Sequence, residues 1–312
     1  MRPEIAVEVE NVSHHYGARR ALDDVSFHVH QREIFCFLGP NGGGKTTLFR
    51  LLSTLIPLEQ GSIRLLGHDV TREVTAVRAE IGVVFQAASL DRKLTVKENL
   101  RHQGRLYGLT GRLLEDRMQE MLARLHLTDR AKDLVETLSG GLRRRAELAK
   151  GMLHRPRLLL MDEPSTGLDP AARSDLWEYL REIREQDGVT VALTTHLLEE
   201  ADKADRLGIL NQGSLVALDS PANLRSEVGG DAITIETDDP ATLSEAVNAR
   251  FDGHAKVVDG SVRLEQPEGH RLISRLCDAF PGRIRSITVG RPTLEDVFIA
   301  RTGHGFREAR DN

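Results

Sequence analysis

Cysteine is scarce. Cys36 and Cys277 are the only two in 312 residues, too few and too far apart in sequence for a disulfide framework. A reducing compartment fits them, and Cys36 sits in an apolar run where a small buried thiol is expected. Long hydrophobic runs are missing as well. None approaches the 18 or more residues of a membrane span, and the N-terminus has no signal-peptide core. Charge of one sign is also lacking: the net charge is −5, which does not suit a general nucleic-acid binder. From Ser226 onward there are 11 basic and 15 acidic residues, so the tail is no anionic-lipid or DNA-binding appendage. Any service to a membrane is expected to pass through a partner.

What is present is a soluble globular composition, 40% hydrophobic and 29% charged, long enough for two domains. Its centre is GPNGGGKTT, Gly39 to Thr47. The apolar run Ile34–Leu38 precedes it and a helical pattern from Leu48 follows, so the motif reads as strand, glycine-rich turn, helix N-terminus. Such a turn directs backbone N–H groups and a positive helix end at one point. Lys45 would reach the β- and γ-phosphates of a nucleotide, and the Thr46 hydroxyl would ligate Mg²⁺.

Around this motif the pattern alternates strand and helix. Residues 5–12 and 21–30 read as half-buried strands, with Tyr16 in the turn between them: a surface aromatic, a core edge, or a face for a base to stack on. Residues 61–66 and 80–86 read as strands, the second ending in Gln86. Three helical patterns follow at 96–107, 113–125 and 142–153, a helical subdomain inserted at about 88–153. The third opens with Ser139-Gly140-Gly141 and Arg143 to Arg145. An ordinary N-cap explains Ser139, and an anion site is the alternative.

A buried strand then delivers Asp162 and Glu163. Carboxylates at the C-terminal end of a central parallel strand sit where α/β sheets bind ligands; Asp162 would hold Mg²⁺, and Glu163 could take a proton from water. Asp169 reads as the N-cap of a helix with Pro170 at N1. The strand 188–195 ends in His196, on the edge where Asp162 and Glu163 emerge. A hairpin turning at 211–213, a short helix at 221–228 and the linker Gly229-Gly230 close the first domain, 1–228. Residues 229–312 form a second, with β-α-β-β-α-β order and a last helix from Thr293.

Together, GPNGGGKTT, the LSGG of 138–141, LLLMDEP at 158–164, STGLD at 165–169 and TTH at 194–196 resemble the ATP-binding subunit of an ABC transporter over about residues 4–225. The resemblance implies a P-loop NTPase α/β core with an inserted helical subdomain, here followed by a small α+β ferredoxin-like domain. It implies ATP and Mg²⁺ as ligands, with Tyr16 on adenine and Gly39, Pro40, Asn41, Gly42, Gly43, Gly44, Lys45, Thr46 and Thr47 on the phosphates. Gln86 would sense Mg²⁺ and the attacking water, Asp162 would hold Mg²⁺, and Glu163 would be the catalytic base. His196 would contact the γ-phosphate. Ser139, Gly140 and Gly141 would act on the nucleotide of an opposite subunit, with Asp169 at the dimer interface. Gly43 stands where alanine is more usual, an expected loosening of the loop.

The ending RPTLEDVF, 291–298, with Ser220-Pro221, resembles ABC-2 type exporters of the daunorubicin-resistance kind. That implies a homodimer of ATPase subunits on the cytoplasmic face of the membrane, paired with a separate permease and exporting a drug or other hydrophobic small molecule. The alternatives are an importer ATPase subunit or a soluble ABC ATPase. A chromosome-type ATPase would need a long coiled-coil insertion, yet only 90 residues separate Thr47 from Leu138. Removing residues 229–312 is expected to leave nucleotide binding intact.

Overall fold

In the computed structural model, which describes residues 4–251 and 255–306, the chain opens with a long hairpin. Its strands, β1 (Ile5–Tyr16) and β2 (Arg19–His30), turn at Gly17 and pair antiparallel. Both run further than the alternation suggests, and Tyr16 ends a strand rather than lying in the turn. β3 (Ile34–Leu38) leads through the glycine-rich loop into α1 (Lys45–Leu52). Next come β4 (Gln60–Leu65), β5 (His68–Asp69), α2 (Val74–Glu80) and β6 (Ile81–Val84).

The three helical patterns form as α3 (Val96–Leu106), α4 (Gly111–Arg124) and α5 (Gly140–Met152). α3 is fixed by a capping box in which Thr95 and Glu98 satisfy each other's backbone N–H. After them stand β7 (Leu158–Asp162), α6 (Pro170–Gln186), β8 (Thr190–Thr195), α7 (Leu198–Ala201), the hairpin β9 (Arg206–Asn211) and β10 (Ser214–Asp219), and α8 (Pro221–Ser226). The C-terminal part holds β11 (Asp231–Glu236), α9 (Pro240–Phe251), β12 (Lys256–Val258), β13 (Ser261–Gln266), α10 (Leu272–Ala279), β14 (Ser286–Gly290) and α11 (Leu294–Thr302).

The order β10-β9-β3-β8-β7-β6 makes the central sheet, parallel throughout except at its β10 edge. Strand alternation divides its core in two. Phe35 and Phe37 of β3 face the antiparallel sheet β2-β1-β4-β5, where Phe27 packs 5.1 Å from Phe37. Ile34, Cys36 and Leu38 face the other way, toward a core that also takes in Trp177 and Leu180 of α6. That second core includes residues of the helical patterns, among them Leu100, Met118 and Leu148.

In the C-terminal part, β12-β13-β11-β14 pair antiparallel throughout, with α9 and α10 on one face. This is the expected β-α-β-β-α-β order. α11 behaves differently. Its Leu294, Val297 and Phe298, together with Phe306, enter the core of the first part beside Ala217, Leu224 and Val228. The last helix therefore belongs by packing to the body that precedes Gly229. No helix among the described residues is long and apolar enough to cross a membrane.

A nucleotide-phosphate site at the strand ends

Four neighbouring parallel strands deliver the expected groups to one edge. β3 ends in the glycine-rich loop, β8 in His196, β7 in Asp162 and Glu163, and β6 is followed by Gln86. Ligands of open α/β sheets bind at this C-terminal edge. Register sets the depth: Leu38 lies opposite Thr195, and Asp162 opposite Thr194.

The loop curls because two of its glycines hold left-handed backbone, Gly42 at φ 81° and Gly44 at φ 106°. A methyl group on Gly39 would lie 2.4 Å from the Leu210 carbonyl oxygen, and one on Gly44 would lie 2.9 Å from that of Ala21. Gly43 has ordinary φ. Its carbonyl accepts from Gly213 N–H (3.1 Å) and its N–H donates to Pro40 O (3.2 Å), so both of its backbone polar groups are held.

Lys45 opens α1 and is buried. Its ammonium donates to the carbonyls of Gly39 (2.8 Å) and Pro40 (3.0 Å) and stands 3.6 Å from Glu163 Oε1. Burial pulls its pKa below the usual lysine range, against the pull of Glu163. Asp162 is buried at the end of β7 and is not among the residues that line the cleft described below. Burial pushes its carboxyl above the ordinary range, opposed first by the Thr194 hydroxyl, which donates to Oδ1 at 2.6 Å.

Glu163 is the hub. Gln86 Nε2 and the Thr166 hydroxyl each donate to its Oε2 at 3.2 Å, and His196 Nδ1 lies 3.1 Å from the same oxygen, in ion-pair reach but not aligned for a hydrogen bond. Glu163 adopts φ 43°, a left-handed conformation that is uncommon for a side-chain-bearing residue. Its N–H is held there by Thr194 through both the carbonyl (3.2 Å) and the hydroxyl (2.9 Å).

A cleft of about 500 Å³ lies above these groups. Of the expected residues, Tyr16, Asn41, Gly42, Gly44, Lys45, Thr46, Thr47, Gln86, Glu163 and His196 line it. Tyr16 is 44% exposed at its rim, edge-on to His14 at 4.9 Å. Gly39, Pro40 and Gly43 form the back of the loop. Arg19 and Thr166 also line the cleft, and Thr194 orients both carboxylate residues beneath it. Thr194 lay within a motif without a role, and Arg19 gave no signal in the sequence.

Ser139, Gly140, Gly141 and Asp169 do not line the cleft. Ser139 caps α5 through Leu142 N–H (3.3 Å), and Asp169 caps α6 through Ala172 N–H (2.9 Å). The two caps are neighbours: a methyl group on Gly141 would lie 3.3 Å from Ala172 Cβ. Of the three arginines after the cap, Arg144 turns inward and Arg145 pairs with Asp175.

The side chains expected to hold Mg²⁺, Thr46, Gln86 and Asp162, offer one hydroxyl, one amide and one carboxylate. Among the described residues no group of three His, Cys, Asp or Glu forms a metal cage. Mg²⁺ does not need one, because it is held by one or two carboxylates plus water and substrate phosphates. The residues present fit it.

The ABC transporter family matches residues 22–166. The chain is 40% identical to the daunorubicin resistance ATP-binding protein DrrA2 of Streptomyces coeruleorubidus, over 96% of this chain and 95% of that protein. It is 38% identical to the Nod factor export ATP-binding protein I of Paraburkholderia xenovorans, over 99% of this chain and 100% of that one. Among solved structures, a dimeric ATP-binding cassette in a post-hydrolysis state with ADP and Pi superposes with a TM-score of 0.63 at 26% identity, over 69% of this chain and 98% of that one. With its phosphate loop, paired carboxylates and near-full-length likeness to such proteins, the chain belongs to the ABC transporter family, as one of its ATP-hydrolysing, ATP-binding subunits.

Proposed function

We propose that the chain energises export through a separate membrane permease, as one half of a two-chain ATPase. The observation that carries the hydrolytic part is the meeting of Lys45, Gln86, Thr166 and His196 on the single carboxylate of Glu163. In this reading ATP lies in the cleft with its base on Tyr16 and its phosphates along Gly39 to Thr47. Glu163 takes a proton from the water that attacks the γ-phosphate, worth about 10²–10⁴-fold in rate for a positioned general base. Gln86 orients that water, and Lys45 and His196 balance the charge that develops on the phosphoryl oxygens. Thr46, Gln86 and Asp162 would hold Mg²⁺, which would supply neutralisation of phosphate charge.

The position of Ser139, Gly140, Gly141 and Asp169 outside the cleft supports the dimer. An exposed glycine-bearing cap that does not line its own chain's cleft is suited to a second copy's nucleotide. Likeness to drug-resistance and export subunits over nearly the whole length, C-terminal part included, favours an exporter of a hydrophobic small molecule over an importer subunit or a soluble ATPase. Contact with the membrane, at its cytoplasmic face, would then run through the permease.

The experiment is ATP-driven accumulation of an anthracycline dye in inverted vesicles containing this chain and the membrane protein encoded beside it. Accumulation that needs ATP and fails with Glu163→Gln is expected. ATP turnover by the purified chain that no neighbouring membrane protein alters, with no dye movement, would leave a soluble ATPase.

A further inference from the structure

Between β6 and α3 the chain has little regular structure, yet the stretch that carries Gln86 is anchored on both sides. On one side the Phe85 carbonyl accepts from Arg144 Nη1 at 2.9 Å. On the other, Ser89 N–H donates to Glu147 Oε1 at 2.7 Å, and Lys150 Nζ donates to the Ser89 carbonyl (2.8 Å) and hydroxyl (3.2 Å). All three anchors come from α5. The spacing 144, 147, 150 puts them on one face of that helix, and its first turn carries Gly140 and Gly141.

Arg144 and Glu147 are 8% and 5% exposed and pair with each other at 2.8 Å. One Glu147 oxygen holds Arg144 while the other holds Ser89. Burial pushes the Glu147 carboxyl up and pulls the Arg144 and Lys150 cations down. Charges are buried at such cost only where each is paired. Between the anchors only Gln86, Ala87 and Ala88 are exposed, and of these Gln86 reaches across to Glu163 at 3.2 Å.

We infer that Arg144, Glu147 and Lys150 are positioning residues for Gln86, a buried clamp by which the helix capped at Ser139 fixes how far Gln86 reaches toward Glu163. This rests on the proposed role of Gln86 and extends it. If Ser139 to Gly141 serve the partner's nucleotide, then one rigid helix ties the group at a chain's own site to the group that closes the other.

A merely structural clamp would change melting temperature alone; a positioning clamp changes turnover while ATP still binds. The test uses the purified full-length chain, with Kd from a fluorescent ATP analogue and kcat from phosphate release. Lys150 is only half-buried, so Lys150→Met is the first variant, with Glu147→Ala as the second. Each is expected to lower kcat about tenfold or more with Kd within about twofold, and Lys150→Arg to restore most of the loss. Combined with Gln86→Ala, Lys150→Met should add little, because the two act through one element. A folded Lys150→Met chain at wild-type kcat overturns the clamp, as does a loss that adds in full to that of Gln86→Ala. Gln86→Ala at wild-type kcat would instead overturn the proposed role of Gln86.

Discussion

The hydroxyl of Thr194 donates to Asp162 Oδ1 at 2.6 Å and itself accepts from Glu163 N–H at 2.9 Å. One side chain on β8 thus sets the carboxylate that ends β7 and the backbone of the residue beyond it. The proposed metal ligand and the proposed base therefore share one orienting group.

Replacing it should separate orientation from fold. Thr194→Val keeps the shape but leaves a buried carboxylate oxygen without its donor, a loss of about 1–3 kcal/mol. The expected outcome is a lower melting temperature and a fall in kcat larger than the change in ATP affinity. Wild-type kcat in a folded Thr194→Val chain would show that Asp162 and Glu163 need no such support.

Burial raises the Asp162 pKa above its ordinary value, so charging this group weakens the native state. The unfolded chain gives up the proton near pH 4, and the native chain only at higher pH. In that window the native state binds more protons, so stability falls as pH rises through it. Asp162→Asn should therefore melt above wild type at pH 7 and lose that advantage below about pH 4, while its Mg²⁺-dependent turnover is lost. Thermal scans across pH check the sign; a variant less stable than wild type at pH 7 would contradict it.

The glycines of the loop should not be equivalent. Gly44 combines φ 106° with a methyl position 2.9 Å from the Ala21 carbonyl oxygen, whereas Gly43 has ordinary φ and a methyl position 3.1 Å from two carbonyl oxygens. Gly44→Ala is expected to abolish measurable ATP binding, and Gly43→Ala to change Kd by less than about tenfold, a difference of about 1.4 kcal/mol. Equilibrium binding of a fluorescent ATP analogue decides between them.

Phe298 is fully buried in the core of the first part of the chain. Phe298→Ala should cost about 3–5 kcal/mol, and a chain cut at residue 228 should melt lower still, exposing Leu224 and Val228. The expectation that residues 229–312 can be removed with nucleotide binding intact therefore comes with a predicted loss of stability. Chemical denaturation of the full-length variant measures the cost directly; an unchanged midpoint would place α11 outside the core.

These contrasts show where the sequence could be read and where it could not. The strand-loop-helix around Lys45, the caps at Ser139 and Asp169 and the strand ends at Asp162 and His196 were legible because local chemistry dictates them. A glycine turn, an N-cap oxygen or an apolar run reports on its own neighbourhood. Arg19 was invisible because only the β1–β2 hairpin brings it over the phosphate loop. Thr194 looked like one more β-branched strand residue until Asp162 lay beside it. Glu147 and Lys150 carry no motif of their own, and the partners that they and Arg144 hold lie in a segment some 60 residues earlier in the chain. α2 escaped notice because it is a single short run with one buried side chain, Val77. The ownership of α11 followed from packing and not from chain order.

The most direct test of a two-chain site is complementation. Lys45→Ala removes the phosphate contact of one chain, and Ser139→Arg blocks the cap offered to the other. Each alone should be inactive as a dimer. Mixed in equal amounts, they should recover about a quarter of wild-type turnover, since random pairing makes about half the dimers mixed and each mixed dimer keeps one intact site of two. Recovery near that level is the predicted result. A mixture no more active than its parts, or a Ser139→Arg chain with wild-type turnover by itself, would contradict it.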